Sequence, residues 1–176
     1  MHNNDKLQPT IGVRIVAVLM MVGGIVGVIG AIRLVLYWAA RDESLPFVVH
    51  CCSIPLFAWT AFVGWNLWRG QTRFLRWAAI LFGLQVIVFG VGGFAYEFST
   101  GLSARIAVGG FMVPMPPPSH NLSIGANFGS SLNLNLTRDD SRWMVGINVV
   151  ALIIWLYVLR SLNKPHAFGG GSLPAE

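Results

Sequence analysis

Charge is scarce in this chain: Asp, Glu, Lys and Arg make up 11% of 176 residues, where a water-soluble domain carries about a quarter. Hydrophobic residues fill 55% of it and the mean hydropathy is +0.63. These proportions exclude a soluble globular domain and point to an integral membrane protein. They also exclude intrinsic disorder, which needs low hydrophobicity with high net charge. Cysteine is nearly absent. Cys51 and Cys52 are neighbours inside an apolar run, so no disulfide can staple the polar segment further on, and adjacent cysteines do not make the C-x-x-C spacing of a thiol oxidoreductase. Glycine is plentiful, with 20 residues, but follows no collagen-like period.

The formal net charge is +5, from 12 Lys+Arg against 7 Asp+Glu. A basic balance can mark a nucleic-acid-binding face. Here Lys6, Arg14, Arg69, Arg73 and Arg76 flank hydrophobic runs instead, which is how a membrane protein fixes its orientation. The expected partner is therefore the lipid bilayer, and nucleic acid is not expected.

Four apolar runs follow one another. The first, 15–37, is 23 residues long, and at about 1.5 Å per residue it reaches roughly 34 Å, enough for a hydrocarbon core of about 30 Å. A cleavable signal peptide has a shorter apolar centre of about 7–15 residues, so this run reads as a retained anchor. The second, 47–68, contains Pro55 and ends in Trp65, Trp68 and Arg69, suited to the headgroup layer. The third, 77–96, has Gln85 as its only strongly polar member, and the fourth, 143–159, lies between Arg142 and Arg160. The reading is an all-α membrane protein, a four-transmembrane-helix bundle forming one integral membrane domain over 1–176, with a flexible tail at 163–176. Four spans put both termini on one side. The short loop after the second run carries three arginines, and cation bias in short loops outweighs charge in a long translocated one. Both termini are thus expected to be cytoplasmic, in a plasma membrane or bacterial inner membrane.

The loop at 97–142 has a different pattern. Leu132, Leu134 and Leu136 alternate with Asn133, Asn135 and Thr137, and Leu122 and Ile124 keep the same period of two. The turn formers at 125–131 lie between them, so a β-hairpin is expected. Ile106, Val108 and Phe111 add a third strand before the proline-rich segment at 114–118 interrupts. This loop is read as a small extracytoplasmic β-hairpin or three-stranded cap between helices 3 and 4. Its Asn121-Leu122-Ser123 and Asn135-Leu136-Thr137 match the glycosylation acceptor.

Several residues are candidates for more than filling space. Gly23, Gly27 and Ala31 fall four apart and predict close helix packing, within the chain's own bundle rather than between copies. Polar groups in membrane spans are costly and so are default site hypotheses. Arg33, His50, Glu97 and Asn148 all fall within roughly 8 Å of one surface at about 1.5 Å per residue, where they form a candidate outer polar cluster with Arg33 and Glu97 as an ion pair. Snorkelling of Arg33 to the headgroups is the competing and favoured account. Thr60 and Gln85 lie at similar depth and are expected to share an interhelical hydrogen bond. Arg69, Arg73 and Arg76 serve orientation or anionic lipid headgroups. His50, Cys51 and Cys52 point about 100° apart on a helix and cannot converge on one metal ion. No catalytic residue, cofactor or metal is expected.

The outline of four spans with a large outer loop before the last resembles the tetraspanin plan. That family's loop carries a Cys-Cys-Gly motif, and residues 97–142 contain no cysteine, so the outline assigns no family. The functional expectation is a multi-pass, non-catalytic accessory or interaction subunit that meets a membrane-protein partner or a second copy through its β cap. A small-molecule binding or transport protein using the outer cluster is the alternative.

Overall fold

The computed structural model describes residues 10–41, 44–91, 94–111, 121–136 and 142–163. Thr10 opens α1, Ile11–Ala39, by accepting the Val13 N–H on its hydroxyl at 3.4 Å. α2, Ser44–Trp68, runs back beside it. Side-chain bulk is missing where they cross: a Cβ on Gly24 would lie 2.5 Å from the Ala61 nitrogen, and one on Gly64 2.7 Å from the Ala17 carbonyl oxygen. Backbone approach of this kind takes the place of hydrophobic burial in helix pairs that share an apolar surround. Both helices are long and apolar enough to cross a membrane.

The expectation of an all-α bundle fails beyond this pair. After a single 3-10 turn at Thr72–Phe74, α3 covers only Leu75–Val86, and the last helix, α4, only Val149–Leu162. The runs 77–96 and 143–159 are each split between helix and strand. α3 passes without a loop into β1, Ile87–Val91, and β6, Arg142–Asn148, passes without a loop into α4. The β-branched Ile87, Val88 and Val91 and the aromatic Phe89 favour extended backbone over helix, and Gly90 weakens a helix that would continue through it. Asn148 ends the other strand as a helix cap, its side-chain oxygen accepting the N–H of Ala151 and that of Ala104 in a neighbouring strand, both at 3.3 Å. The four helices do share a core near the arginine-rich turn, built on Val16, Met20, Val63, Leu67, Ala78, Phe82 and Val158.

The expected hairpin is also redrawn. β4, Asn121–Phe128, and β5, Ser131–Leu136, occupy the two predicted strand positions but do not pair with each other. β4 pairs with β3, Leu102–Phe111, and β5 with β2, Phe94–Ser99, in a six-stranded antiparallel sheet of order β4-β3-β6-β1-β2-β5. The partners Phe94↔Leu136 and Gly109↔Asn121 share the position sum 230, as does every pair between them. β2 with β3 and β5 with β4 are therefore two long strands in one register, folded back at Thr100-Gly101 and Gly129-Ser130. β1 and β6 fill the mouth of that fold. The turn signal at 125–131 marks a bend in a continuous ribbon, not the end of a hairpin. The proline-rich segment 114–118 and the tail beyond Asn163 lie outside the described residues.

Candidate functional site

The ribbon's bend docks against the helices. Gly101 sits at φ +80°, a backbone region that side chains disfavour. A Cβ on Gly23 would lie 2.6 Å from the Gly101 nitrogen, so helix α1 and the bend touch backbone to backbone. The Ser130 hydroxyl donates to the Gly23 carbonyl and accepts the Gly101 N–H at 3.3 Å. The Gly129 N–H donates across the bend to the Gly101 carbonyl at 2.7 Å.

From α3, the buried Gln85 side chain donates to Leu81 at 3.2 Å and accepts twice from Thr100, from its N–H at 3.0 Å and its hydroxyl at 3.1 Å. Tyr96 donates its hydroxyl to the Leu84 carbonyl at 2.8 Å, satisfying one of the carbonyls that the end of α3 leaves without an intrahelical partner. Phe98 is fully buried against Ala31 and Phe57. The end of α3 and the middle of α1 thus hold the bend through hydrogen bonds and close backbone contact.

The two faces of the sheet differ in kind. One carries Ile87 and Val91 on β1, Leu102, Ile106 and Val108 on β3, Val145 and Ile147 on β6, and Leu122 and Ile124 on β4, and all are exposed. The alternate positions, Val88 and Met144 apart, are small or polar, and Val88, Ser103, Ala107, Gly146 and Asn148 are buried. On this second face Arg105 meets Glu97 at 2.8 Å, with roughly a third and a quarter of their side chains exposed (34% and 26%), and the hydroxyls of Ser99 and Ser131 lie 3.0 Å apart. Bulky apolar groups outside and small or polar groups inside is the reverse of the arrangement in a water-soluble sheet. It is the arrangement of strands that face lipid.

The structure distributes the sequence-derived candidates over different tasks. Gly27 and Ala31 face Phe57 of α2, while Gly23 meets the bend. Arg33 is exposed on α1, and the ion-pair partner of Glu97 is Arg105, so the structure does not bring Arg33 and Glu97 together. His50 is half-buried on α2, its carbonyl accepting the Ser53 hydroxyl at 2.8 Å. Asn148 is the α4 cap. Gln85 does not reach Thr60: the Thr60 hydroxyl donates within its own helix to Leu56 at 2.9 Å, and Gln85 holds the bend. Arg69 and Arg73 lie over the rings of Trp65 and Phe74, at 5.4 and 5.1 Å from the centroids, and Arg76 is exposed at the start of α3. Both cysteines are free thiols, and among the described residues no group of three His, Cys, Asp or Glu is placed to hold a metal ion. Sequence reasoning missed Thr100, Ser130 and Arg105. The signal for the first two was the pair of small-residue stretches Ser99-Thr100-Gly101 and Gly129-Ser130-Ser131, one on each long strand and in register.

Comparison of the chain with protein-family models, with curated proteins and with solved structures gives no match.

Proposed function

We propose that this chain is a multi-pass membrane protein that acts without catalysis as an interaction subunit, and that its partner adds a strand to β4. The observation that carries the reading is the open edge. β4 ends the strand order, and its one strand neighbour among the described residues is β3, whereas α2 lies beside β5 at the opposite edge. Its eight residues contain no charge and no proline, the two commonest guards of an edge strand, and residues 122–127 are exposed. Free backbone donors and acceptors along such a strand give affinity to an added strand, and the alternating side chains give it selectivity. Arg69 and Arg73 in the short turn before α3, with Arg76 in its first turn, favour a cytoplasmic position for that turn, and with it cytoplasmic termini and a sheet toward the far side.

The test is affinity purification of the full chain in mild detergent, with and without Ser123→Lys and Asn127→Lys. Both positions are exposed on β4 and away from its apolar face, and edge lysines disfavour strand addition. A protein recovered in stoichiometric amount with the unaltered chain and lost with the double variant supports the reading. A partner retained by the variant, or recovery of a bound small molecule in its place, overturns it.

A further inference from the structure

We infer that the sheet itself lies within one leaflet of the bilayer, its exposed apolar face against acyl chains, so that the α3–β1 and β6–α4 segments cross the membrane half as helix and half as strand. This rests on the membrane residence of α1 and α2, and it makes an added strand on β4 a requirement, because hydrocarbon does not tolerate an open sheet edge.

Three independent observations meet on that placement. The first is depth. Gly23, where the bend docks, lies three residues from the middle of the apolar run 15–37, about 5 Å at the rise of a helix. The bend therefore sits near the bilayer midplane if α1 spans. From there β2 has six residues, a rise of about 20 Å at roughly 3.4 Å each, against a half-core of about 15 Å. The second is length. The ten residues of α3 from Trp77 onward and the five of β1 reach roughly 32 Å together. Neither part alone covers a hydrocarbon core of about 30 Å, and the composite does.

The third is continuity of surface. Trp77, Ile80, Leu84, Ile87 and Val91 are exposed one after another down α3 and on along β1. Val145, Ile147, Ile153 and Leu156 do the same from β6 into α4. These stripes pass from helix to strand without a polar break, and α1 has an exposed apolar side of its own at Ile25, Val26, Ile29 and Ile32. A protein partner would need a surface conforming to both a helix and a sheet along the same line. Hydrocarbon conforms to any shape. The polar side chains Glu97 with Arg105, Asn148, and Gln85 with Thr100 are on the opposite face or buried and are already paired, and the outer backbone edge of β4, which has no strand beside it among the described residues, is left for an added strand to cover. α3 starts beside the arginine-rich turn and runs away from it, so the immersed leaflet is the one opposite that turn.

Two measurements test the placement on the full chain in phosphatidylcholine–phosphatidylglycerol vesicles. In the unaltered protein, a phospholipid with a diazirine on its acyl chain should mark peptides covering 102–108 and 145–147, as it marks the exposed side of α1 at 25–32. Marking of α1 without the sheet overturns immersion while leaving residence intact, and marking of neither overturns both. In a Cys51→Ala, Cys52→Ala background, nitroxides at Ile106→Cys and Ile147→Cys should relax with oxygen and not with a water-soluble nickel complex. Relaxation by nickel places the sheet in water, and protection from both relaxants places it under protein; either result overturns the inference.

Discussion

Replacing Gln85 by Leu should loosen the bend by more than any single interhelical hydrogen bond is worth. The side chains are close in size, so the change removes chemistry and leaves the packed volume nearly intact. Thr100 is 3% exposed, and both its N–H and its hydroxyl give their hydrogen bonds to the Gln85 side-chain oxygen. Each buried donor left without an acceptor costs about 1–3 kcal/mol, which makes roughly 2–6 kcal/mol for the pair if the bend cannot relax. A transmembrane interhelical hydrogen bond averages about 0.6 kcal/mol. Thr100→Val in the same chain removes one of the stranded donors, so the double variant should be less destabilised than the two single changes added together. The Thr60 hydroxyl serves its own helix, so Thr60→Val should show no coupling to Gln85→Leu. The assay is unfolding in detergent followed by tryptophan fluorescence, with hydrogen exchange of the Thr100 amide as the local readout. Wild-type stability and an unchanged slow exchange in Gln85→Leu would refute the bend anchor, and so would coupling of Gln85 to Thr60 in place of Thr100.

Two glycines in one helix should respond in opposite directions to alanine. At Gly23 a Cβ meets the Gly101 backbone at 2.6 Å, so Gly23→Ala should destabilise by about 1–3 kcal/mol; at Gly30 it meets nothing within 4 Å, so Gly30→Ala should stabilise by about 0.4–1 kcal/mol, both read by the same unfolding assay. Asn148→Ala removes the α4 cap and the acceptor for Ala104, and should cost about 0.5–2 kcal/mol with faster exchange at the Ala151 amide. A double-mutant cycle on Glu97→Gln and Arg105→Gln should return a coupling of about 0.2–1 kcal/mol for a partly exposed pair, while the cycle of Glu97→Gln with Arg33→Gln should return none.

Where one face of an element was polar and the other apolar, the sequence carried its structure. Leu132, Leu134 and Leu136 with their intervening asparagines lie in β5, Leu122 and Ile124 in β4, and Ile106 and Val108 in β3. The runs 15–37 and 47–68 fall inside α1 and α2 because length and hydropathy alone define a candidate span. β1 and β6 were hidden by their inner face. Val88, Gly90 and Gly146 are apolar or featureless, so the period of two vanishes and the strands read as the continuation of a helix. Strand pairing was hidden for another reason. Nothing local distinguishes a turn that ends a hairpin from a bend that two paired strands make together, and only the partner strand 94–111, inside and beyond the third apolar run, settles which it is. The Glu97 partner followed from that error: at the outer end of a third helical span Glu97 would meet Arg33, and on β2 it faces Arg105.

β6 is the strand hydrogen-bonded to both β1 and β3 among the described residues, and it is the last of the six to be made. Until residues 142–148 are synthesised, β1 and β3 each present a raw side, and β1 stands alone in the mouth of the folded ribbon. A nascent or truncated chain ending before Arg142 is therefore an adhesive intermediate. Biogenesis must either finish quickly or be chaperoned across that interval.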